Sequence, residues 1–272
     1  DGRAFNAAAG ALLRGSQWER AACLFESLRA ARLAPSEVSY CLAVSASGRG
    51  SRWEAACELF GDVVRAGLEP GVVLHTALVA ACGSGGQWAL ALALFEGARA
   101  SALQPDARLY NSTISACERG SQSEHALSVF EQLRGRALEP DAVSCNVAIA
   151  ACGSGGQWGR VLALLEGMVR DGPKPDVVTF NSAISACAKG GRADLALGLL
   201  EGIERARLRP DVVSFNASIS ACDWGGRWPD AWRLLRRMEE RGPAPNAVSY
   251  DAALLAASSA QAWRQGLELL SR

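Results

Sequence analysis

Proline stands at Pro35, Pro70, Pro105, Pro140, Pro175, Pro210 and Pro245, each 35 residues after the last, with no insertion or deletion. An interval that constant means one supersecondary unit copied in tandem, and it limits the chain to stacked-repeat architectures. Gly15, Gly50, Gly85, Gly120, Gly155, Gly190 and Gly225 keep the same step. So do Trp18, Trp53, Trp88, Trp158, Trp228 and Trp263, with Ser123 and Ala193 at the two remaining places. Residues 1–272 read as a single array, with repeats 2–36, 37–71, 72–106, 107–141, 142–176, 177–211 and 212–246 and a partial eighth over 247–272.

Inside a repeat the apolar pattern is helical twice over. In the repeat from Val177 to Asp211, Phe180, Ala183, Ile184 and Cys187 follow the three-and-four spacing of one helical face, with Thr179 as the expected cap. Gly190 and Gly191 supply left-handed geometry for a tight turn, and Leu195, Leu197, Leu199, Leu200 and Ile203 mark a second helix. Pro210 biases Arg209 away from the helical region and closes the repeat. A lone helical hairpin cannot bury both apolar faces, but stacked copies bury a continuous core, so the fold class is an all-α solenoid of helix-turn-helix repeats.

Charge tells the two helices apart. Of 28 basic and 28 acidic residues, the first fourteen places of the repeats hold only Arg3, Arg14, Glu37, Arg49, Arg108, Glu118, Arg119, Lys189, Asp223 and Asp251. First helices are therefore the expected inner layer lining a groove, and second helices the solvated outer layer. The zero net charge removes the simplest nucleic-acid signature, a strongly basic domain. Apolar runs such as Trp88 to Phe95 fall far short of the ~20 residues that cross a bilayer, so no membrane partner is expected. The first residue is Asp1 and no basic-then-apolar leader precedes the pattern, so the chain reads as an excerpt of something longer.

The period of 35, the Pro-Asp at repeat ends, and starts such as Val177-Val178-Thr179-Phe180-Asn181 and Val212-Val213-Ser214-Phe215-Asn216 resemble the pentatricopeptide repeat family of organelle RNA-binding proteins. The variant Ile114-Ser115-Ala116-Cys117, repeated at Ile184 to Cys187, is also similar to that family. The tetratricopeptide repeat, with a period of about 34, fits six drift-free intervals less well. The resemblance implies a right-handed superhelix of uniform repeats. It also implies that the chain binds single-stranded RNA by occupying it, in organelle RNA processing or stability. A mitochondrial or chloroplast location, a monomer, and no small-molecule substrate or cofactor follow from the same resemblance. The alternative is a protein-protein interaction scaffold using the same groove.

In the family each repeat addresses one base through its fifth and last residues, with the second residue packing on base faces. Asp is acceptor-only and suits a base with a ring N–H, uracil or guanine, whereas Asn or Ser also donates and tolerates cytosine or adenine. Asn111 with Asp141, Asn146 with Asp176, and Asn181 with Asp211 imply three uracils, and Thr76 with Asp106 a guanine before them. Asn216 with Asn246 implies cytosine or uracil, and Asn6 with Ser36 cytosine. Cys41 with Gly71 fits no pairing, and Asp251 has no last-place partner. The implied core is 5′-C-N-G-U-U-U-C/U-3′. Base packing falls to Val73, Arg108, Val143, Val178 and Val213, with Arg3, Val38 and Val248 in the same column. Those valines could instead pack against the neighbouring repeat, and the Asn column could simply cap helices.

Arg14, Arg49, Arg119 and Lys189 occupy the thirteenth place, where the family often presents Lys to phosphate; a cation there also suits a helix C-terminus. Cys82, Cys117, Cys152, Cys187 and Cys222 share one place and read as small core residues, since packed helices lie ~8–10 Å apart and outside disulfide reach. No Cys-x-x-Cys exists, and His75 and His125 have no matching cysteine framework, so no metal is expected. No phosphate loop or nucleophile with a base is present either, and the segment is read as having no catalytic residues.

Overall fold

A computed structural model describes residues 2–31, 33–101, 103–136 and 138–259. The second helix expected in the eighth repeat, Trp263 included, lies outside them. Among the described residues there are fifteen helices and no strand. Residues 1–139 and 140–272 form two compact units, each built of the same hairpins. The first holds α1 (Gly2–Arg14), α2 (Trp18–Ala30), α3 (Glu37–Arg49), α4 (Trp53–Arg65), α5 (Val72–Ser84), α6 (Trp88–Ala100), α7 (Ala107–Arg119) and α8 (Ser123–Gly135). The second holds α9 (Ala142–Ser154), α10 (Trp158–Asp171), α11 (Val177–Lys189), α12 (Ala193–Arg205), α13 (Val212–Trp224), α14 (Trp228–Arg241) and α15 (Ala247–Ser259). None is long and apolar enough to cross a membrane.

Odd-numbered helices are the first helices of the repeats. Within each compact unit they lie side by side, and each even-numbered helix packs against its own partner and the next odd one. Within each compact unit, among the described residues, successive even-numbered helices do not approach at the backbone level and meet through long side chains, as Arg29 reaches Asp62 at 3.2 Å. Small residues set the closeness of the odd layer. A Cβ built on Gly48 would lie 2.9 Å from Ala81 Cβ, and one on Gly83 only 2.8 Å from Ala116 Cβ. Ile114, Ile149, Ile184, Ile219 and the cysteines at Cys82, Cys117, Cys152, Cys187 and Cys222 fill the core behind them, all fully buried. All nine cysteines are free thiols, and burial pushes that of Cys82 up to about 12 and that of Cys117 to about 11.

Two local expectations need correction. Thr179 does not cap α11: the N-cap is Asp176, whose Oδ1 accepts from the Thr179 N–H at 2.8 Å while Thr179 Oγ1 accepts from the Asp176 N–H at 3.1 Å. This reciprocal arrangement is a capping box in which the hydroxyl sits three residues into the box. Nor do both turn glycines supply left-handed backbone. Gly191 has φ +66°, but Gly190 has φ −83°, which any residue adopts. The fourteenth place is glycine because an aromatic ring fills the space: Cβ atoms on Gly50, Gly85 and Gly120 would lie 2.5, 2.3 and 2.4 Å from Trp18, Trp53 and Trp88. The periodic tryptophans and glycines are thus two halves of one contact between successive repeats.

Candidate nucleic-acid interface

Each odd-numbered helix leaves one stripe open. On α5 it runs through Val73, Thr76, Ala80 and Ser84, the second, fifth, ninth and thirteenth places, while Leu74, His75, Leu78, Val79, Ala81, Cys82 and Gly83 are buried. That spacing is one helical face. The second-place valines are large apolar side chains held open on the stripe, with Val38, Val73, Val143, Val178, Val213 and Val248 at 57 to 67% exposure. Arg3 and Arg108 stand exposed in the same column. These side chains offer apolar and cationic surface to solvent.

In the second compact unit the fifth and last residues of a repeat meet at three successive joints. Asn146 Nδ2 lies 3.5 Å from Asp176 Oδ1, Asn181 Nδ2 donates to Asp211 Oδ1 at 3.1 Å, and Asn216 Nδ2 donates to Asn246 Oδ1 at 3.2 Å. A hydroxyl of the next repeat completes each cluster. Thr179, Ser214 and Ser249 each donate to the Oδ1 of the preceding Asn at 2.6 Å. Those hydroxyls are fully buried, so the Asn satisfies polar groups that would otherwise be expensive to desolvate. Asn6 repeats the pattern, accepting from Ser39 Oγ at 2.8 Å and donating to Ser36 Oγ at 3.3 Å. Capping is done by the last residue, not the Asn: Asp106 accepts from the Leu109 N–H and Asp141 from the Ser144 N–H, at 2.9 and 2.7 Å.

The chemistry of the partners fixes each amide. A carboxylate only accepts, so the nitrogens of Asn146 and Asn181 must face Asp176 and Asp211, and their oxygens must face the hydroxyls. At Asp176 the Thr179 N–H and the Asn146 amide converge on Oδ1, and the Thr179 hydroxyl, 2.8 Å away, shares its one proton between that oxygen and Asn146 Oδ1. At the seventh repeat the Ser249 N–H binds Asn246 Oδ1 at 3.1 Å, which turns Asn246 Nδ2 the other way. Asp176 and Asn246 therefore share a shape and present opposite hydrogen-bonding character. Burial pushes the Asp176 and Asp211 carboxyls up, but the N–H and hydroxyl of Thr179 or Ser214 and the Asn amide outweigh it and hold both below the ordinary value.

Other expected positions differ in detail. The Thr76 hydroxyl turns back to the Val72 carbonyl at 2.8 Å, in a repeat followed by Leu109 at the place where Ser39, Ser144, Thr179, Ser214 and Ser249 carry a hydroxyl. Asn111, in the first compact unit, is half-buried on the same stripe. In the thirteenth column Arg49 donates to the Leu13 carbonyl, the helix-terminus role of a cation, and Arg119 Nη1 lies 3.3 Å from Ser84 Oγ. Arg14 and Lys189 are exposed. Two groups were given no role by the sequence reading. Trp224 occupies the thirteenth place with 66% exposure, and Glu37 lies against Gly71. Among the described residues no cluster of His, Cys, Asp and Glu could hold a metal ion.

Models of the pentatricopeptide repeat domain match residues 58–119, 93–155 and 163–227, and further models of the same repeat match 143–173 and 210–255. Together they cover residues 58–255 without a gap, and the chain belongs to the pentatricopeptide repeat family. Its fold is similar to that of the pentatricopeptide repeat protein PPR10 from maize, with TM-score 0.61 and 21% identity over 93% of this chain and 41% of that one. It is also similar to the repeat domain of Arabidopsis thaliana protein-only RNase P 1, solved in complex with tRNA. There the TM-score is 0.56 and identity 15%, over 69% of this chain and 95% of that one. Nuclear proteinaceous RNase P 2 from A. thaliana gives TM-score 0.56 at 14% identity, over 65% of this chain and 40% of that one. The chain therefore spans less than half the length of the maize protein. No curated protein sequence is significantly similar to it.

Proposed function

We propose that this chain binds single-stranded RNA sequence-selectively, one base per repeat, with a core near 5′-C-N-G-U-U-U-C/U-3′, and acts in organelle RNA processing or stability by occupying the RNA. Family membership supports RNA as the ligand. The observation that carries the base reading is the fixed polarity of the joints: Asp176 and Asp211 hold their neighbours' amide nitrogens on one oxygen, whereas Asn246 turns a nitrogen outward. A carboxylate complements the ring N–H of uracil; an outward amide nitrogen complements the ring acceptor of cytosine. Val143, Val178 and Val213 pack on base faces, and Arg14, Arg119 and Lys189 meet phosphate. Binding occurs as a monomer, in a mitochondrion or chloroplast, without catalysis by this segment.

Replacing Asp176 by Asn tests the reading. Asn is also a good N-cap, so α11 keeps its start. Preference at the fifth base should move from uracil toward cytosine by on the order of 1 kcal/mol, with neighbouring bases read as before. Equal weakening for both oligoribonucleotides would make Asp176 a cap and nothing more.

A further inference from the structure

The second repeat lacks the usual pair: its fifth residue is Cys41 and its last is Gly71, which has no side chain to present. The place is not empty. Glu37, the first residue of the same repeat, reaches its end and accepts a hydrogen bond from the Gly71 N–H through Oε1 at 3.0 Å. A Cβ built on Gly71 would lie 2.6 Å from that oxygen. In an aspartate, ordinary bond lengths put each carboxylate oxygen about 2.4 Å from its own Cβ. Glu37 Oε1 therefore sits at about the distance from residue 71 that the oxygen of an Asp there would have.

The substitution also balances the hydrogen bonds. In the sixth repeat the N–H of the last residue of the preceding repeat, Asp176, goes to the Thr179 hydroxyl at 3.1 Å. The corresponding residue after Gly71 is Leu74, which has no hydroxyl, and Glu37 takes the Gly71 N–H instead. Among the first-place residues Gly2, Glu37, Val72, Ala107, Ala142, Val177, Val212 and Ala247, Glu37 alone is charged, and it stands in the repeat whose last residue is glycine. Its backbone bond uses one carboxylate oxygen of two.

Resting on the base-reading account above, we propose that Glu37 is the specificity-determining residue of the second repeat, standing in for the absent last-place acid. The second base of the core is then one with a ring N–H, uracil or guanine, in preference to cytosine or adenine. Cys41 fits this arrangement as a neutral neighbour. Burial and the Glu37 charge push its thiol up to about 11, so it stays protonated beside the carboxylate.

The test measures the affinity of the wild type and of Glu37→Gln for four oligoribonucleotides that differ only at the second base of 5′-C-N-G-U-U-U-C-3′. A fifth oligoribonucleotide carries cytosine in place of uracil at the fifth base. The amide oxygen of Gln keeps an acceptor for the Gly71 N–H and turns a donor outward, so folding is retained while polarity is inverted. Wild type should favour uracil or guanine at the second base by about fivefold to tenfold, the worth of one hydrogen bond. In Glu37→Gln that preference should vanish or reverse, while discrimination at the fifth base is unchanged. Indifference of the wild type at the second base, or equal weakening of all four oligoribonucleotides, with the fifth base still read, would overturn the role of Glu37 alone. Loss of discrimination at the fifth base in the wild type would overturn the base-reading account, and this inference with it.

Discussion

The contact between tryptophan and glycine columns makes a stability prediction with a sign that backbone preference alone would get wrong. Gly120 ends α7 with φ −78° and ψ 4°, a conformation open to alanine. On backbone grounds Gly120→Ala should stabilise by about 0.4–1 kcal/mol, because the unfolded chain loses freedom. The added Cβ, however, would lie 2.4, 2.5 and 2.8 Å from Cδ1, Cγ and Cβ of Trp88. Carbon contacts are comfortable at about 3.5–4.0 Å, so the indole must retreat by about 1 Å. Overpacking of that kind costs about 1–3 kcal/mol, and a contact this short falls in the upper half, about 2–3 kcal/mol, which leaves a net loss of about 1–2.6 kcal/mol. The assay is a double-mutant cycle read by chemical denaturation and by hydrogen exchange of the α6 and α7 amides. In a Trp88→Ala background the same substitution should become neutral or stabilising. A neutral effect in wild type, or the same loss in both backgrounds, would refute the argument.

Further predictions concern caps, acid, salt and thiols. Asp176→Ala should lose about 1 kcal/mol as a missing N-cap, with faster exchange confined to the start of α11, whereas Asp176→Asn should lose little. Because the Asp176 and Asp211 carboxyls titrate below their ordinary value, their contribution is present above about pH 4 and is lost as pH falls through their folded values. An acid titration followed at the N-termini of α11 and α13 should show this, and insensitivity of those amides would contradict it. With Arg49 held by the Leu13 carbonyl, RNA affinity should fall with salt at a log-log slope of about −2, from −0.7 for each of Arg14, Arg119 and Lys189. A slope more than twice as steep would put the phosphate contacts on another face. Under alkylation at pH 8 the exposed Cys23 should react first, and Cys82, Cys117, Cys187 and Cys222 only on unfolding.

Most of the architecture could be read from period and pattern, because a strict 35-residue step with two helical faces per repeat leaves few ways to bury apolar surface. The exposed columns were legible for the same reason, since the second, fifth and thirteenth places fall on one helical stripe. What was hidden lay between repeats. The sequence shows that Gly120 and Trp88 both recur, but not that the ring of one repeat fills the space above the glycine of the next. Thr179 and Asp176 are both good capping residues three apart, and only geometry shows that the acid caps and the hydroxyl answers it. Glu37 was invisible to a place-by-place reading, because it replaces a side chain missing 34 residues further on, in another column.

The central claim is that the joints between repeats read bases. Its most direct test is selection of bound RNAs from a random oligoribonucleotide pool, run in parallel on the wild type and on Asp176→Asn. The account predicts enrichment of a G-U-U-U core by the wild type, and of the same core with its second uracil changed to cytosine by the variant. No enrichment, a core unrelated to G-U-U-U, or the same core from both proteins would contradict it.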